Sequence, residues 1–300
     1  MFGRWLCLLG LTLLLAGPGA SPAAAQWRRS AARSAKKKPT PPVAAETAVL
    51  PAVAQLLAEA RQLQGQYKES EALAKYEQAL GLAPATYEAL WQAAVLSVRI
   101  GARYTDDTRK AAYFSAARLL ASRALVVRPD GAEANYAEAL ALANQATLLS
   151  ARGRLLAYKE MQPYVFRAVE KHPTYADAWQ LLGRWHYRVD HYNLLERLYS
   201  RLFLGGTPPE ASTLAAIDAL RRAHTLEPGR IQYAYDLARV HLNRGQHTQA
   251  AAVLQAAVAL TPVTAEDLEI SRRCRNLLVQ LNRKMQRQVN RQVRRLGVRE

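Results

Sequence analysis

Six histidines (His172, His186, His191, His224, His241, His247) and two cysteines (Cys7, Cys274) are the residues from which a metal centre or a nucleophile would have to be built. A metal-binding helix wants histidines at i and i+4, or a knot of carboxylates. His186 and His191 are five apart and His241 and His247 six apart, so neither pair shares a helical face. The sequence has no Gly-rich phosphate loop ending in Gly-Lys-Ser/Thr and no Gly-x-Ser-x-Gly elbow. Asp106-Asp107 and Glu69-x-Glu71 are carboxylate pairs where helices start, which is the place of caps rather than of acid/base dyads. Cys274 sits among Arg272, Arg273 and Arg275, which would lower its pKa, yet it also falls on an apolar stripe, and a buried inert thiol is the simpler reading. The expectation is a protein that is not an enzyme and needs no metal and no cofactor.

The elements around these residues are set by composition first. The chain has 300 residues, half of them hydrophobic, and a net charge of +17. That charge is unevenly placed. Arg28, Arg29, Arg33, Lys36, Lys37 and Lys38 crowd residues 26–38, and ten Arg and Lys against one Glu occupy residues 272–300, while the long middle is nearly neutral. A basic channel running through the whole fold is therefore not expected, and nucleic acid is not an expected partner. Two cysteines also exclude a disulfide-stapled fold and a multi-cysteine zinc site.

Residues 1–25 read as a signal peptide: a basic start at Arg4, the apolar run Trp5–Gly17, and Ala23-Ala24-Ala25 before the cut. An uncleaved anchor is the alternative; cleavage predicts an exported protein, periplasmic or secreted. Residues 26–50 combine the charge run with Pro39, Pro41 and Pro42 and read as a basic linker. The linker is expected to be solvated; the other reading rests it on anionic head groups.

The body is a repeat. Pro84, Pro129, Pro173, Pro228 and Pro262 are spaced by 45, 44, 55 and 34 residues. Each follows an Ala by five (Ala79, Ala124, Ala168, Ala223, Ala257), and four follow another by twelve (Ala72, Ala117, Ala216, Ala250), with Met161 in the fifth place. Trp91, Tyr136, Trp179 and Tyr235 stand six or seven residues after a proline. Small residues let antiparallel helices approach, an aromatic wedges between one pair and the next, and the proline ends the second helix. The pattern resembles the tetratricopeptide repeat (TPR), best in Leu237-Ala238, Gly245, Ala250, Leu254, Ala257, Pro262 and in Trp179-x2-Leu182-Gly183. The fourth unit carries an insert in which Leu194, Leu195, Leu198, Leu202 and Phe203 recur at helical spacing, so it predicts an extra helix stopped by Gly205-Gly206, with Pro208-Pro209 starting the next.

Within that unit, Gly183-Arg184-Trp185-His186-Tyr187, then Glu196-Arg197 and Pro208-Pro209-x-Ala211-Ser212, resemble the regulator of microtubule dynamics protein family, over roughly residues 51–292. The resemblance implies a TPR-like helical fold; eukaryotic members associate with microtubules, and a mitochondrial member tethers to the endoplasmic reticulum and binds phospholipid. An exported protein meets no tubulin, so the resemblance transfers fold better than partner. Arg184 and Glu196 are expected to form an ion pair that fixes the insert.

From Thr264 onward no Pro or Gly interrupts until Gly297, and Cys274, Leu277, Leu278, Leu281, Met285, Val289, Val293 and Leu296 recur at three or four. This predicts one long helix whose first half caps the repeats. Its second half carries Arg283, Lys284, Arg287, Arg291, Arg294 and Arg295; it either lies on an anionic membrane or is a solvated end.

The expected architecture is all-α: a TPR-like solenoid of about five helix pairs over residues 51–282, one inserted helix, and a C-terminal helix whose basic end is residues 283–300. The expected function is an exported scaffold that holds a peptide or protein in its concave groove. The alternative is contact with phospholipid or an anionic membrane. Trp91, Tyr136, Tyr187, Tyr235 and Arg239 on the first helices are the candidate groove lining, each aromatic being also a candidate packing wedge.

Overall fold

A computed structural model describes residues 51–295, and side chains to residue 292. The readings of residues 1–50, and of the side chains of Arg294 and Arg295, lie outside the described residues. Within them the chain is all-α. Five antiparallel pairs follow one another: α1 (Pro51–Gly65) with α2 (Glu69–Leu82), α3 (Tyr87–Ala102) with α4 (Asp107–Val127), and α5 (Ala132–Gln145) with α6 (Ala151–Lys171). The fourth pair is α7 (Ala176–Asp190) with α9 (Thr213–Leu226), interrupted by α8 (Leu194–Phe203); the fifth is α10 (Ile231–Asn243) with α11 (His247–Ala259). Helix α12 (Ala265–Arg295) closes the described stack.

The proline rule has a visible mechanism. The residue before a proline is pushed out of the helical region. Ala83, Arg128, His172 and Glu227 adopt φ of −139°, −140°, −137° and −134°, and each donates its N–H to the carbonyl of the Ala five residues before that proline. Those alanines and their partners at minus twelve are fully buried, Met161 among them at 1% exposure. The long spacings are absorbed by helices: α4 and α6 have 21 residues each, against 14 in α2 and α9.

Of the two carboxylate pairs expected as caps, only Asp106-Asp107 serves as one: α2 starts without a side-chain cap, and Glu69 turns instead to Arg99 and Arg103. Asp106 accepts the N–H of Arg109 at 2.8 Å, and Thr264 and Asp267 cap α12 reciprocally. Another start differs from expectation. Pro208-Pro209 do not begin α9; Ser212 does, accepting the N–H of Ala215 at 3.1 Å, and the prolines remain in the loop. A side-chain cap followed by an N–H that Asp190 accepts (Thr213, 2.9 Å) outcompetes the proline start.

The core is a row of layers. Trp91 is half-buried and packs against both the first layer, built on Tyr76, Leu90 and Leu96, and the middle one, built on Leu142, Met161 and Trp185. The last layer pairs α10 and α11 with Ile270, Cys274 and Leu281 of α12. Cys274 is fully buried, and burial pushes its thiol up to about 11, so the neighbouring arginines do not activate it. Among the described residues no helix is long and apolar enough to cross a membrane.

Candidate functional site

The first helices of the pairs carry a polar cluster. Arg99 of α3 reaches Glu69 at the start of α2 (3.6 Å) and Asp177 in the first turn of α7 (3.7 Å). Asp177 also takes Arg230 (3.4 Å) and the hydroxyl of Tyr233. Burial pulls the Arg99 guanidinium down, but Tyr136, Asp177 and Glu69 outweigh it and hold it above its ordinary value. Burial pushes the phenols of Tyr136, Tyr175 and Tyr233 well up, with Asp177 adding to each. The cluster therefore keeps the Arg99 guanidinium charged and its phenols protonated near neutral pH: it is built to hold geometry and present hydrogen bonds. No group of three or more His, Cys, Asp or Glu placed to hold a metal exists among the described residues.

Of the candidate groove residues, Tyr136 is corrected. It is 4% exposed, tilted against Tyr175 at 4.8 Å, and is a packing wedge rather than a groove contact. Tyr235 is half-buried beneath the Arg239 guanidinium (5.7 Å), and Tyr187 is half-buried, its hydroxyl accepting from Asn243 at 2.6 Å. Arg239 is exposed. Gly183 and Ala238 each stand ten residues after their proline, so Arg184 and Arg239, one residue on, occupy equivalent positions of neighbouring first helices. Both are exposed, and neither is in an ion pair among the described residues.

The second feature is the insert. Glu196, not Arg184, defines its docking: the carboxylate pairs with Arg188 at 2.5 Å. The expected Arg184–Glu196 pair does not form because α8 leaves α7 through a tight turn, and Glu196 returns only to the last turn of α7; Arg184 lies about 6 Å further back along the axis than Arg188. Burial pushes the Glu196 carboxyl up, but the Arg188 and Asn193 hydrogen bonds outweigh it and hold it below the usual carboxylate range. Asn193 and Glu196 form a reciprocal capping box (2.9 and 3.0 Å). Arg197 binds the carbonyls of Tyr192 and Asp190, and Ser200 donates to that of Gly206. Gly205 and Gly206 stop α8 with φ of 81° and 94°, a region that suits glycine. Trp185 is 1% exposed; its indole N–H donates to the Tyr158 carbonyl at 2.9 Å and its ring meets Phe166 edge-on. Between α6, α7 and the loop after α8 lies a cleft of about 280 Å³, walled by Tyr158, Trp185, Tyr192, Pro208 and Pro209, with Lys159 at its edge holding the Leu204 carbonyl.

The family model described as regulator of microtubule dynamics protein 1-3 matches residues 56–282. The chain belongs to that family. In the regulator of microtubule dynamics fold seen here, the block Gly183 to Pro209 builds the joint between the fourth pair and its insert. No curated protein matches the chain. A thermophilic TPR protein from Thermus thermophilus is similar in structure: 19% identity, 76% of this chain and 100% of that one, TM-score 0.55. MamA (residues 41 to the end) from Desulfovibrio magneticus RS-1 matches at 18% identity over 71% and 97%, with a TM-score of 0.42. The first of these likenesses makes the fold a TPR-type helical stack.

Gly183 shows why the family block is packed as it is. A Cβ there would stand 2.6 Å from Leu220 Cγ and 3.1 Å from the Ala216 carbonyl of α9. Gly183→Ala gains about 1 kcal/mol of helix propensity against that clash. Gly183→Val meets the same backbone with a branched side chain, for an expected net cost of about 1–3 kcal/mol. Thermal denaturation of the two variants checks this, with the valine lower.

At the C-terminal end, Met285 is the last stripe residue packed on the core. Arg283, Lys284, Arg287 and Arg291 are exposed, and Val289 is half-exposed at 50%.

Proposed function

We propose that this is a non-catalytic scaffold, exported with loss of residues 1–25 and tethered by residues 26–50, that binds a peptide or protein segment along its concave face. The observation that supports the reading is the pair of equivalent arginines, Arg184 and Arg239, exposed on adjacent first helices beside Tyr187 and Tyr235. An extended acidic or carboxylate-bearing segment suits such a row, with guanidinium groups for its charges and aromatic edges for its side chains.

A photo-crosslinker at Tyr187 or Arg239, used in the native host, is expected to capture a defined partner. Arg184→Glu with Arg239→Glu is expected to reduce that capture at least tenfold while the melting temperature stays within a few degrees, since both side chains are exposed and outside any ion pair among the described residues. Undiminished capture by the double variant refutes the concave-face reading.

A second reading, contact with an anionic membrane, is supported by the exposed basic half of α12. Deleting residues 283–300 is expected to lower pelleting with anionic vesicles; equal pelleting removes the tail from the account.

A further inference from the structure

Helix α8 is mounted the wrong way round for a globular protein. A surface helix turns its apolar stripe to the core and its polar side to water. In α8 the two buried residues are Glu196 and Ser200. Leu194, Leu195, Leu198, Leu202 and Phe203 are exposed by 84, 78, 54, 65 and 68%. The inward side is held by directional bonds: Glu196 to Arg188, Ser200 to Gly206, and Arg197 to the carbonyls of Asp190, at the end of α7, and Tyr192, in the turn after it. These bonds fix the rotation of the helix, so its apolar stripe is displayed by construction.

The patch extends beyond α8. Arg152 of α6 stacks over Tyr199 (5.8 Å) and Lys159 binds the Leu204 carbonyl. Leu156 lies between them at i+4 and i−3, on the same side of α6, and is 44% exposed. The rim is cationic. Arg197 and Arg201 border the stripe on one side and Arg152 on the other, all exposed, while the one carboxylate of α8 faces inward.

We propose that this face docks on an anionic lipid membrane, with α8 lying in the interface plane, its leucines and Phe203 among the acyl chains and Arg152 and Arg201 among the head groups. The choice of occupant rests on charge and on direction. An antiparallel pairing of two copies would press the Arg197–Arg201 edge against itself, whereas an anionic plane meets both edges favourably. The five exposed side chains of the stripe, Leu194, Leu195, Leu198, Leu202 and Phe203, offer no hydrogen-bonding group. The stripe therefore suits hydrocarbon, which demands no direction. The site is separate from the concave face and from the basic end of α12.

The test uses residues 26–300, floated with phosphatidylcholine vesicles containing phosphatidylglycerol and with phosphatidylcholine alone. The protein is expected to float with the anionic vesicles. Leu198→Glu with Phe203→Glu is expected to cut the bound fraction about tenfold or more, as would follow from removing the apolar stripe. Both side chains are exposed, so the melting temperature is expected to hold. Arg152→Glu with Arg201→Glu is expected to weaken the preference for anionic vesicles, the remainder being that of residues 26–50 and of the basic end of α12. The same loss from Leu198→Glu with Phe203→Glu in a chain also lacking residues 283–300 assigns the effect to α8 and not to the tail. Flotation unchanged by the α8 variants overturns the proposal. So does a lipid-free dimer, seen by sedimentation velocity, that the α8 variants convert to monomer, since a second copy would then cover the face.

Discussion

Replacing Trp185 by alanine is expected to cost about 3–5 kcal/mol, the usual range for deleting a fully buried large aromatic. The residue is 1% exposed, sits in the middle core layer and donates its indole N–H to Tyr158 at 2.9 Å. Its loss removes the packing against Phe166, leaves the Tyr158 carbonyl without that donor and enlarges the neighbouring cleft. At this chain length about 2–4 °C of melting temperature follow each kcal/mol, so a fall on the order of 10 °C is expected. Trp185→Phe keeps most of the volume but loses the donor and part of the ring, and should fall between. A cost below about 1 kcal/mol for the alanine would show that the layer closes around the gap.

The second large effect is expected at Glu196. Glu196→Ala removes the Arg188 pair and half of the capping box together, for about 2–4 kcal/mol, because Arg188 is left partly buried without its carboxylate. Adding Arg188→Met should recover part of this, and the double-mutant cycle isolates the pair. The pH dependence has a definite sign. The folded carboxyl titrates below its ordinary value of 4.5, so its contribution is fully present above 4.5 and is lost as the pH falls through the lowered folded value. Acid titration of stability should be less steep in Glu196→Ala than in the parent; identical slopes would deny Glu196 this role.

The helix pairs were legible because a proline and two alanines act locally. Pro84, Pro129, Pro173 and Pro228 set the backbone of the residue before them, and Ala79, Ala124, Ala168 and Ala223 fill contacts only a small side chain fits. Spacing alone therefore carries the architecture. The choice between Arg184 and Arg188 was not legible. The two lie on one helical face a turn apart, and only the tightness of the turn into α8 selects the second. Tyr136 and Tyr235 share a repeat position yet differ in exposure, because what covers each is a neighbour far along the chain. The outward mounting of α8 was hidden for a related reason. Its leucine periodicity announces a helix with one apolar side, and nothing in that period says which side the rest of the protein will grip.

The bond from Arg99 to Asp177 has a mechanical meaning. A stack of helix pairs in which each unit touches only its neighbours is a one-dimensional spring, free to flex in pitch and to fray from either end. Here a side chain of the second pair reaches the fourth, and the fourth is tied in turn to Arg230 and Tyr233 of the fifth. That stitch skips a coil and turns the middle of the spring into a collar. Bending the collar open would have to pull a guanidinium from its carboxylate. The same Arg99 holds Glu69 at the start of α2, so the stiffened body runs from that helix to the start of α10, and compliance is left to α1 at one end and α11–α12 at the other.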